Sequence, residues 1–387
     1  MSGQITAAEN EIDALDTLDE LSCTATQVVI NDDGWRCADP ALTRSLAGVF
    51  NRTLETAVNV GFYTSVAIGA DGNPVISHYG ASNGDLELYV CADAACGSGT
   101  NRELVTAGVV GLFSSVAVGA DGNPVISHQD GTNGDLELYM CADPTCTSGI
   151  NRELVTADEV GLYSSVAIGA DGNPVISHYD ASNGDLELYV CADAACGSGT
   201  NRELVTAGYV GLFSSVAIGV DGNPVISHYN GGDLGLYVCD DAVCTSGIDR
   251  VHVAEDDLGD WSSVAIGMDG NPVISHYNVS KGDLELYVCD DPACTTGTNR
   301  ELVTDGDVGW FTSVAIDVDG NPVISHQDGG NDDLELYMCA DPTCTSGINR
   351  ELVTAGNVGS GTSVAIGADG NPVISHYDGG NGDLELA

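Results

Sequence analysis

Residues 164–207 read SSVAIGADGNPVISHYDASNGDLELYVCADAACGSGTNRELVTA, and close copies of this unit fill most of the chain. The unit contains four runs rich in β-branched and aromatic residues, which we name A (SSVAIG), B (NPVISHY), C (DLELYVC) and D (RELVTA) in chain order. Asp171-Gly172 lies between A and B, and an Asp-Gly pair between two such runs is typical of a β-hairpin. The unit therefore predicts a four-stranded antiparallel sheet.

The repeat period predicts how these sheets assemble. The string GNPVISH occurs seven times, and its histidines follow one another at steps of 50, 50, 50, 48, 50 and 50 residues. The histidines are His78, His128, His178, His228, His276, His326 and His376. A fixed period of four-stranded units predicts an all-β fold, a seven-bladed β-propeller.

The two ends of the repeat region predict how the propeller closes. A lone D-like run, RTLETA at Arg52–Ala57, precedes the first A run, whereas the last repeat ends after its C run at Asp383–Leu386. We expect the N-terminal strand to complete the last blade, so that one strand from the start of the region joins three from its end. This 1+3 closure would leave no open sheet edge at the join.

Three segments are predicted along the chain. Residues 52–387 form the propeller, residues 23–51 a disulfide-linked hairpin and linker, and residues 1–22 an amphipathic helix or the end of a stalk. The heptad-like spacing of the apolar residues in 1–22 favours a helix that could join copies of the chain into a homo-oligomer.

The charge balance excludes several partners. The chain has 58 acidic and 10 basic side chains, for a net charge of −48. Such a surface repels nucleic acid and anionic membranes, and it favours divalent cations, basic partners or a high-salt medium. No run of residues is apolar enough for a transmembrane helix, so membrane insertion is not expected.

The 14 cysteines predict disulfides. Zinc needs four ligands on one centre, and cysteine pairs on successive blades would lie too far apart to share an ion. Disulfides place the folded chain in an oxidising compartment, so we predict an extracellular or cell-surface location. The expected pairs are Cys91 with Cys96, Cys141 with Cys146, Cys191 with Cys196, Cys239 with Cys244, Cys289 with Cys294, Cys339 with Cys344, and Cys23 with Cys37.

Candidate ligand-binding residues collect on one face, because the D–A and B–C loops of a propeller lie at the same end of the strands. Flat rings beside polar groups suit sugars, and repeated sites would add avidity. The candidates in the D–A segments are Tyr63, Phe113, Tyr163, Phe213, Trp261 and Phe311. The candidates at the ends of the B runs are the seven histidines and Tyr79, Tyr179, Tyr229, Tyr277 and Tyr377.

These residues also have structural interpretations. A repeated histidine can satisfy buried polar groups within a blade, and this role is favoured for the histidines. The D–A aromatics can instead fill the space between blades, and the sequence supports both roles equally.

One A–B turn matches a calcium loop. Asp317, Asp319 and Asn321 place oxygen ligands at alternate positions, as Ca²⁺ requires. The other turns begin with a glycine such as Gly69, so a turn role is favoured over a Ca²⁺ site. No other cofactor is predicted.

The strings GNPVISHYD and VGLYSSVAIGADG, the latter at Val160–Gly172, resemble repeats of secreted bacterial seven-bladed propellers of the Asp-box, sialidase-like or lectin-like kind. The leader CTATQVVINDDGWRCADP at Cys23–Pro40 resembles the stalk-to-head junctions of bacterial surface and tail-fibre-like proteins. The first resemblance implies a propeller fold, and either hydrolysis of sialic acid or the binding of sugars between blades.

An enzyme is not expected. The resemblance implies that a sialidase would bind the carboxylate of its substrate with a cluster of arginines. Here seven of the nine arginines occur at one equivalent position per repeat, so they are spread around the propeller and cannot form such a cluster. The residues that break the repeat, among them Trp261, Lys281 and Trp310, are expected to be scattered, and near-identical blades provide no set of distinct catalytic roles. We therefore predict a non-enzymatic, secreted, multivalent binding module for glycans or cell-surface ligands. The alternative is a structural head or assembly unit of an extracellular appendage.

Overall fold

The computed structural model of this chain describes two units, Met1–Val49 and Phe50–Ala387. In the first unit, β1 (Val28–Asn31) pairs antiparallel with β2 (Trp35–Ala38). The predicted helix in residues 1–22 and the predicted Cys23–Cys37 disulfide lie outside the described residues. Beyond the two strands of the first unit, the described residues are 50–56, 59–156, 159–206, 208–253, 258–354 and 356–387.

The second unit begins with β3 (Arg52–Glu55), which precedes the first A strand. Blade 1 contains β4 (Val60–Ile68), β5 (Pro74–Gly80), β6 (Asp85–Cys91) and β7 (Gly99–Val105). Blade 2 contains β8 (Val110–Val118), β9 (Pro124–Asp130), β10 (Asp135–Cys141) and β11 (Gly149–Val155). Blade 3 contains β12 (Leu162–Ile168), β13 (Pro174–Asp180), β14 (Asp185–Cys191) and β15 (Gly199–Val205).

The remaining blades repeat this order of A, B, C and D strands. Blade 4 contains β16 (Val210–Ile218), β17 (Pro224–Asn230), β18 (Asp233–Cys239) and β19 (Gly247–Val253). Blade 5 contains β20 (Leu258–Ile266), β21 (Pro272–Asn278), β22 (Asp283–Cys289) and β23 (Gly297–Val303). Blade 6 contains β24 (Val308–Ile316), β25 (Pro322–Asp328), β26 (Asp333–Cys339) and β27 (Gly347–Val353). Blade 7 contains β28 (Ser360–Ile366), β29 (Pro372–Asp378) and β30 (Asp383–Leu386).

Seven four-stranded antiparallel sheets result, so the predicted seven-bladed propeller is confirmed. In the seventh sheet the strand order is β28-β29-β30-β3. The strand β3 pairs with β30 in the register Arg52↔Leu386 and Thr53↔Glu385, which places it in the D position of blade 7. The described residues contain no helix long and apolar enough to cross a membrane.

The hydrophobic core is divided among the contacts between blades. Leu86 and Leu88 of strand C in blade 1 pack against Val116 and Ile126 of blade 2 in one cluster of buried side chains. Equivalent clusters recur around the propeller. The B and C strands are therefore covered on both faces, which explains why they read as nearly continuous apolar runs.

The A strands are joined directly from blade to blade around the axis. The N–H of Val116 donates to the Ser65 hydroxyl of the preceding blade at 3.1 Å. The same bond occurs in every blade at 3.1 to 3.2 Å. The bond from Val66 to Ser363 links blade 1 to blade 7, so the set of seven is closed.

Six of the predicted disulfides are confirmed, and each closes the loop between strands C and D. Within the first loop, Asp93 accepts hydrogen bonds from the N–H groups of Ala95 and Gly97, so the same short segment is fixed by a covalent bond and by a side chain. The six bonds are Cys91–Cys96, Cys141–Cys146, Cys191–Cys196, Cys239–Cys244, Cys289–Cys294 and Cys339–Cys344.

The second cysteine of each pair has a backbone conformation that the sequence did not predict. Its φ is positive in all six loops, with 53° at Cys244 and 48° at Cys294 as examples. Both of these cysteines are buried, with exposures of 2% and 0%. The C–D loops lie at the opposite end of the strands from the D–A and B–C loops. The disulfide cysteines are therefore structural and do not belong to the predicted ligand-binding face. The residues concerned are Cys96, Cys146, Cys196, Cys244, Cys294 and Cys344.

The strand β3 is expected to be needed for full stability. A chain that begins at residue 58 lacks Leu54, which packs against Leu384 and Leu386, and lacks the bond from Asn51 Nδ2 to Glu385 at 2.7 Å. Compared with a chain that begins at residue 50, it should lose roughly 3 kcal/mol of unfolding free energy and self-associate through the open edge of β30. Thermal unfolding and light scattering of the two chains measure this difference, and identical behaviour would contradict the prediction.

Candidate ligand-binding face

A β-bulge shapes the start of each A strand. In blade 1, Phe62 pairs with Tyr79 but Ser65 pairs with Ser77, so Tyr63 and Thr64 together lie opposite His78. The extra residue adopts a left-handed backbone conformation, with φ of 53° at Tyr63. Five further aromatic residues have the same conformation, with φ of 53° at Phe113, 51° at Tyr163, 53° at Phe213, 48° at Trp261 and 53° at Phe311.

The left-handed conformation is unfavourable for a bulky residue. It costs roughly 1–2 kcal/mol for most residues other than glycine. Blade 7 has Gly361 at this position, with φ of 59°. Glycine therefore satisfies the backbone at this bulge, and the six aromatic side chains are not required by the turn itself.

The six aromatic rings form one surface around the propeller axis, which we call the axial aromatic cluster. Neighbouring ring centroids are 4.4 Å apart from Tyr63 to Phe113 and 4.5 Å apart from Phe113 to Tyr163. The next three centroid distances around the axis are 4.6, 5.4 and 4.8 Å. Gly361 leaves the cluster open between Phe311 and Tyr63, so the six rings form one composite surface with a gap at blade 7.

A layer of hydroxyl groups supports this cluster. Ser114 Oγ donates to the carbonyl oxygen of Tyr63 at 3.0 Å and lies 3.0 Å from Ser77 Oγ. Ser164 makes the equivalent bond to the carbonyl oxygen of Phe113 at 3.0 Å. Together the rings and hydroxyls line a shallow cavity of about 190 Å³. The hydroxyls hold the bulges in place, and the rings remain at the surface.

Blades 5 and 6 extend the aromatic surface outward. Trp261 and Trp310 stack with centroids 5.3 Å apart and an interplanar angle of 27°, and Tyr277 lies 5.7 Å from Trp261. Trp310 Nε1 donates to Asp307 Oδ1 at 3.1 Å, and the Tyr277 hydroxyl donates to the same oxygen. The expectation that Trp261 and Trp310 are scattered is wrong, because the bulge of blade 5 directs Trp261 toward the A strand of blade 6.

Burial and the hydrogen bond to Asp307 raise the pKa of Tyr277 to about 12. The phenol therefore stays protonated at neutral pH and continues to donate its hydrogen bond. Trp310 and Asp307 were not among the site residues predicted from the sequence. The signal available was that Trp310 departs from the repeat beside an aromatic position.

The seven histidines lie inside the blades, and each has a relative exposure of 0%. His128 Nε2 is 3.0 Å from Asn151 Oδ1 of strand D, and Asn151 Nδ2 donates to Glu137 at 2.7 Å. Burial lowers the pKa of His128, His178, His326 and His376 to about 4, so these rings are neutral at pH 7. The structure favours the structural interpretation of the histidines over a ligand-binding one.

The tyrosines that follow these histidines are divided between interior and surface. Tyr179, Tyr277 and Tyr377 are buried, whereas Tyr79 and Tyr229 are half-buried. Tyr79 lies 6.5 Å from Tyr63 and Tyr277 lies 5.7 Å from Trp261, so both contact the axial aromatic cluster. The remaining three stay candidates from the sequence alone.

The A–B turns use their aspartates within the turn. Asp317 Oδ1 accepts hydrogen bonds from the N–H groups of Asp319 and Asn321 at 2.9 and 2.8 Å. In blade 1, Asp71 Oδ1 likewise accepts from the N–H of Asn73 at 3.0 Å. These bonds favour the turn role over the calcium loop.

Two groups of three carboxylates in the described residues are close enough to share a cation. In each group the carboxylate oxygens lie within 4.8 Å of one another. In the group of blade 5, Lys281 Nζ lies 2.8 Å from Glu301 Oε1 and 3.3 Å from Glu285 Oε1, so a side chain of the protein supplies the positive charge there. The groups are Asp85, Glu87 and Glu103 in blade 1, and Asp283, Glu285 and Glu301 in blade 5.

No family model and no curated protein matches this chain. Among solved structures, hydrazine synthase of Kuenenia stuttgartiensis matches with 14% identity and a TM-score of 0.59, covering 86% of this chain and 96% of that chain. A protein of unknown function from Dyadobacter fermentans matches with 12% identity and a TM-score of 0.51, covering 87% and 97%. The Hadza microbial sialidase matches with 10% identity and a TM-score of 0.51, covering 82% and 73%. These likenesses show the propeller fold alone.

The buried histidines predict a pH dependence of stability. Because the pKa of His128 is about 4 in the folded chain and 6.5 when exposed, the unfolded chain takes up a proton as the pH falls below 6.5 and the folded chain does not. This histidine therefore leaves stability unchanged above pH 6.5 and lowers it as the pH falls toward 4.

The variant His128→Gln should take up about one proton fewer on unfolding near pH 5 than the parent chain. The slope of unfolding free energy against pH, from denaturant titrations, measures this number. An equal slope for the two proteins would show that His128 is charged in the folded state.

Proposed function

We propose that this protein is a secreted, non-enzymatic module that binds glycans through the axial aromatic cluster and the adjoining Trp261–Trp310 pair. The observation that carries the proposal is that six aromatic residues occupy a left-handed backbone position for which Gly361 suffices. Six unfavourable backbone conformations around one axis are better explained by a ligand-binding role of the rings than by a requirement of the bulge for an aromatic side chain.

The chemistry of this surface suits sugars. The apolar faces of Phe213, Trp261 and Phe311 can contact sugar C–H groups, while carboxylate and phenol groups at the edge can bond to hydroxyls. Asp307 already orders two polar hydrogens beside the stacked tryptophans. The shallow cavity indicates stacking on an open platform rather than enclosure of a ligand.

Valency follows from the contacts between rings. Because the rings of successive blades are in contact, a chain of sugar units could lie across several equivalent blades at once. The multivalent character that we propose is therefore one extended platform with repeated subsites, and affinity would increase with the length of the glycan.

The positions of the arginines support a non-enzymatic role. Arg102 Nε donates to the carbonyl oxygen of Thr145 at 3.1 Å, and Arg250 Nε donates to that of Ala293 at 3.2 Å. Both bonds link a D strand to the disulfide loop of the next blade. These arginines act between blades, at the outer strands rather than at the axis.

The six disulfides support the proposed location. Bonds of this kind persist in oxidising compartments, which is consistent with a protein that works outside the cell or at its surface.

Binding to a glycan array, followed by titration of the best ligand, tests the proposal. Trp261→Ala removes the ring that contacts Phe213, Trp310 and Phe311, and it should weaken binding about tenfold. Tyr209→Ala is the matched control, because Tyr209 is an aromatic residue with 73% exposure outside the cluster, and it should leave binding unchanged. No binding by a folded chain to any glycan would instead favour the structural head of an appendage.

A gain-of-function variant gives an independent check. A side chain at Gly361 would first meet the Tyr63 backbone nitrogen, at 3.6 Å from its Cβ, which is an ordinary contact. Gly361→Phe should therefore close the aromatic cluster, lower stability by about 1 kcal/mol and strengthen binding of long glycans. Weaker binding by this variant would argue that the opening at blade 7 is itself the ligand's position.

A further inference from the structure

The departures from the repeat meet between blades 5 and 6. The residue before each aromatic bulge position is leucine in blades 2, 3 and 4, for example Leu212. Blade 5 has Asp260 at this position, and blade 6 has Trp310. A carboxylate and a large ring have therefore replaced apolar side chains on two neighbouring A strands, beside the tryptophan of the bulge.

A second carboxylate lies at the edge of the stacked tryptophans. Asp307 is half-buried, and its Oδ1 accepts hydrogen bonds from Trp310 Nε1 and from the Tyr277 hydroxyl. Both donors are neutral groups, so they orient the carboxylate without cancelling its charge. The negative charge of Asp307 is thus held in place at the edge of the Trp310 ring.

The charge of Asp260 also reaches the aromatic surface. Asp260 pairs with Tyr277 across strands A and B of blade 5. Burial, the Asp307 hydrogen bond and the charges of both aspartates raise the pKa of Tyr277. Burial raises the pKa of Tyr163 two blades away, and Asp260 adds to this effect. The rings near these carboxylates therefore lie in a field of negative potential.

Such a field selects ligands by their charge. The face of an aromatic ring attracts a cation within about 6 Å, and tryptophan attracts it most strongly. A nearby carboxylate adds a direct Coulomb attraction, which is partly retained where water is displaced by the rings. A sugar with an ammonium group would gain both interactions in addition to stacking and hydroxyl hydrogen bonds, whereas a neutral sugar would gain only stacking and those hydrogen bonds, and an anionic sugar would be repelled.

Three basic side chains elsewhere on the propeller are bonded to other groups. Arg102 and Arg250 donate to carbonyl oxygens of the neighbouring disulfide loops, as described above. Lys281, the lysine of blade 5, lies against Glu285 and Glu301. A cationic ligand would therefore meet the aspartates of this surface without having to displace these three side chains.

We propose that the Trp261–Trp310 face, flanked by Asp260 and Asp307, binds amino sugars with a free, protonated amine. This inference rests on the proposed glycan-binding function and names the class of sugar. The amine would lie over the exposed ring faces and between the two carboxylates, while the remaining sugar units stack along the axial aromatic cluster.

Calorimetric titration of the full chain with two oligosaccharides of equal length tests the inference. One oligomer consists of glucosamine, whose amine is protonated, and the other consists of N-acetylglucosamine, whose nitrogen belongs to a neutral amide. At about pH 6 and 0.15 M salt, the glucosamine oligomer should bind about tenfold more tightly. Raising the pH until the amine loses its proton should remove this preference.

Matched variants assign the preference to the site. Asp307→Asn keeps an oxygen that accepts from Trp310 and Tyr277 but removes the charge, so it should weaken binding of the glucosamine oligomer several-fold more than binding of the acetylated oligomer. Asp305→Asn removes an equal charge from an exposed position two residues away, and it should keep the preference of the parent chain. Circular dichroism checks that both variants are folded.

The outcomes separate this inference from the proposal on which it rests. Equal binding of the two oligomers by the parent chain would overturn the amino-sugar inference and leave glycan binding in place. An equal reduction of the preference in Asp305→Asn and Asp307→Asn would also overturn it, because it would show attraction by the overall charge of −48 alone. Absence of binding to either oligomer and to all other glycans would overturn both proposals.

Discussion

The propeller depends on the closed set of hydrogen bonds between neighbouring A strands. Each A strand is the inner edge of its sheet, and an unpaired edge would leave backbone groups without partners near the axis. The valine N–H in each A strand instead donates to a serine hydroxyl of the preceding blade, including the bond from Val66 to Ser363. Because the serine that accepts follows the bulge by two residues, the same constraint that closes the propeller fixes where the aromatic side chains emerge.

The period and the turn chemistry were sufficient to predict the blades, the strand order within them and the six disulfides, because these features repeat and are local. The bulge could not be predicted. Its sequence, as in Gly61-Phe62-Tyr63, does not differ from a regular strand, and a one-residue change of register moves every following side chain to the other face. For this reason the sequence predicted the histidines and the D–A aromatics on the same face. The structure instead buries the histidines inside the blades and brings the aromatic side chains to the axis.

Several departures from the repeat lie at one end of the blades rather than in the core. Leu86 and Leu186 are equivalent and fully buried, whereas Gly361, Trp310 and Lys281 are individual changes on the face formed by the D–A and B–C loops. Core positions are constrained by close packing, so they repeat faithfully. Loop positions are free to diverge, and the asymmetry that a specific ligand requires is found there.

The acidic character of the chain extends into the blades. Glu87 of strand C pairs directly with Glu103 of strand D, and the same pairing of like charges recurs in blades 2, 3, 5 and 6 although it destabilises a sheet. Asn101 donates to Glu87, so a neutral amide stabilises the inner carboxylate, whereas blade 4 replaces both glutamates with Gly235 and Val251. Because an amide holds the inner glutamate in blades 1, 2, 3 and 6, these blades contribute negative charge instead of cancelling it, whereas Lys281 lies against the pair of blade 5. The fold that this chain shares with a sialidase therefore sets where side chains emerge around the axis, but it does not set the sign of the charge around them.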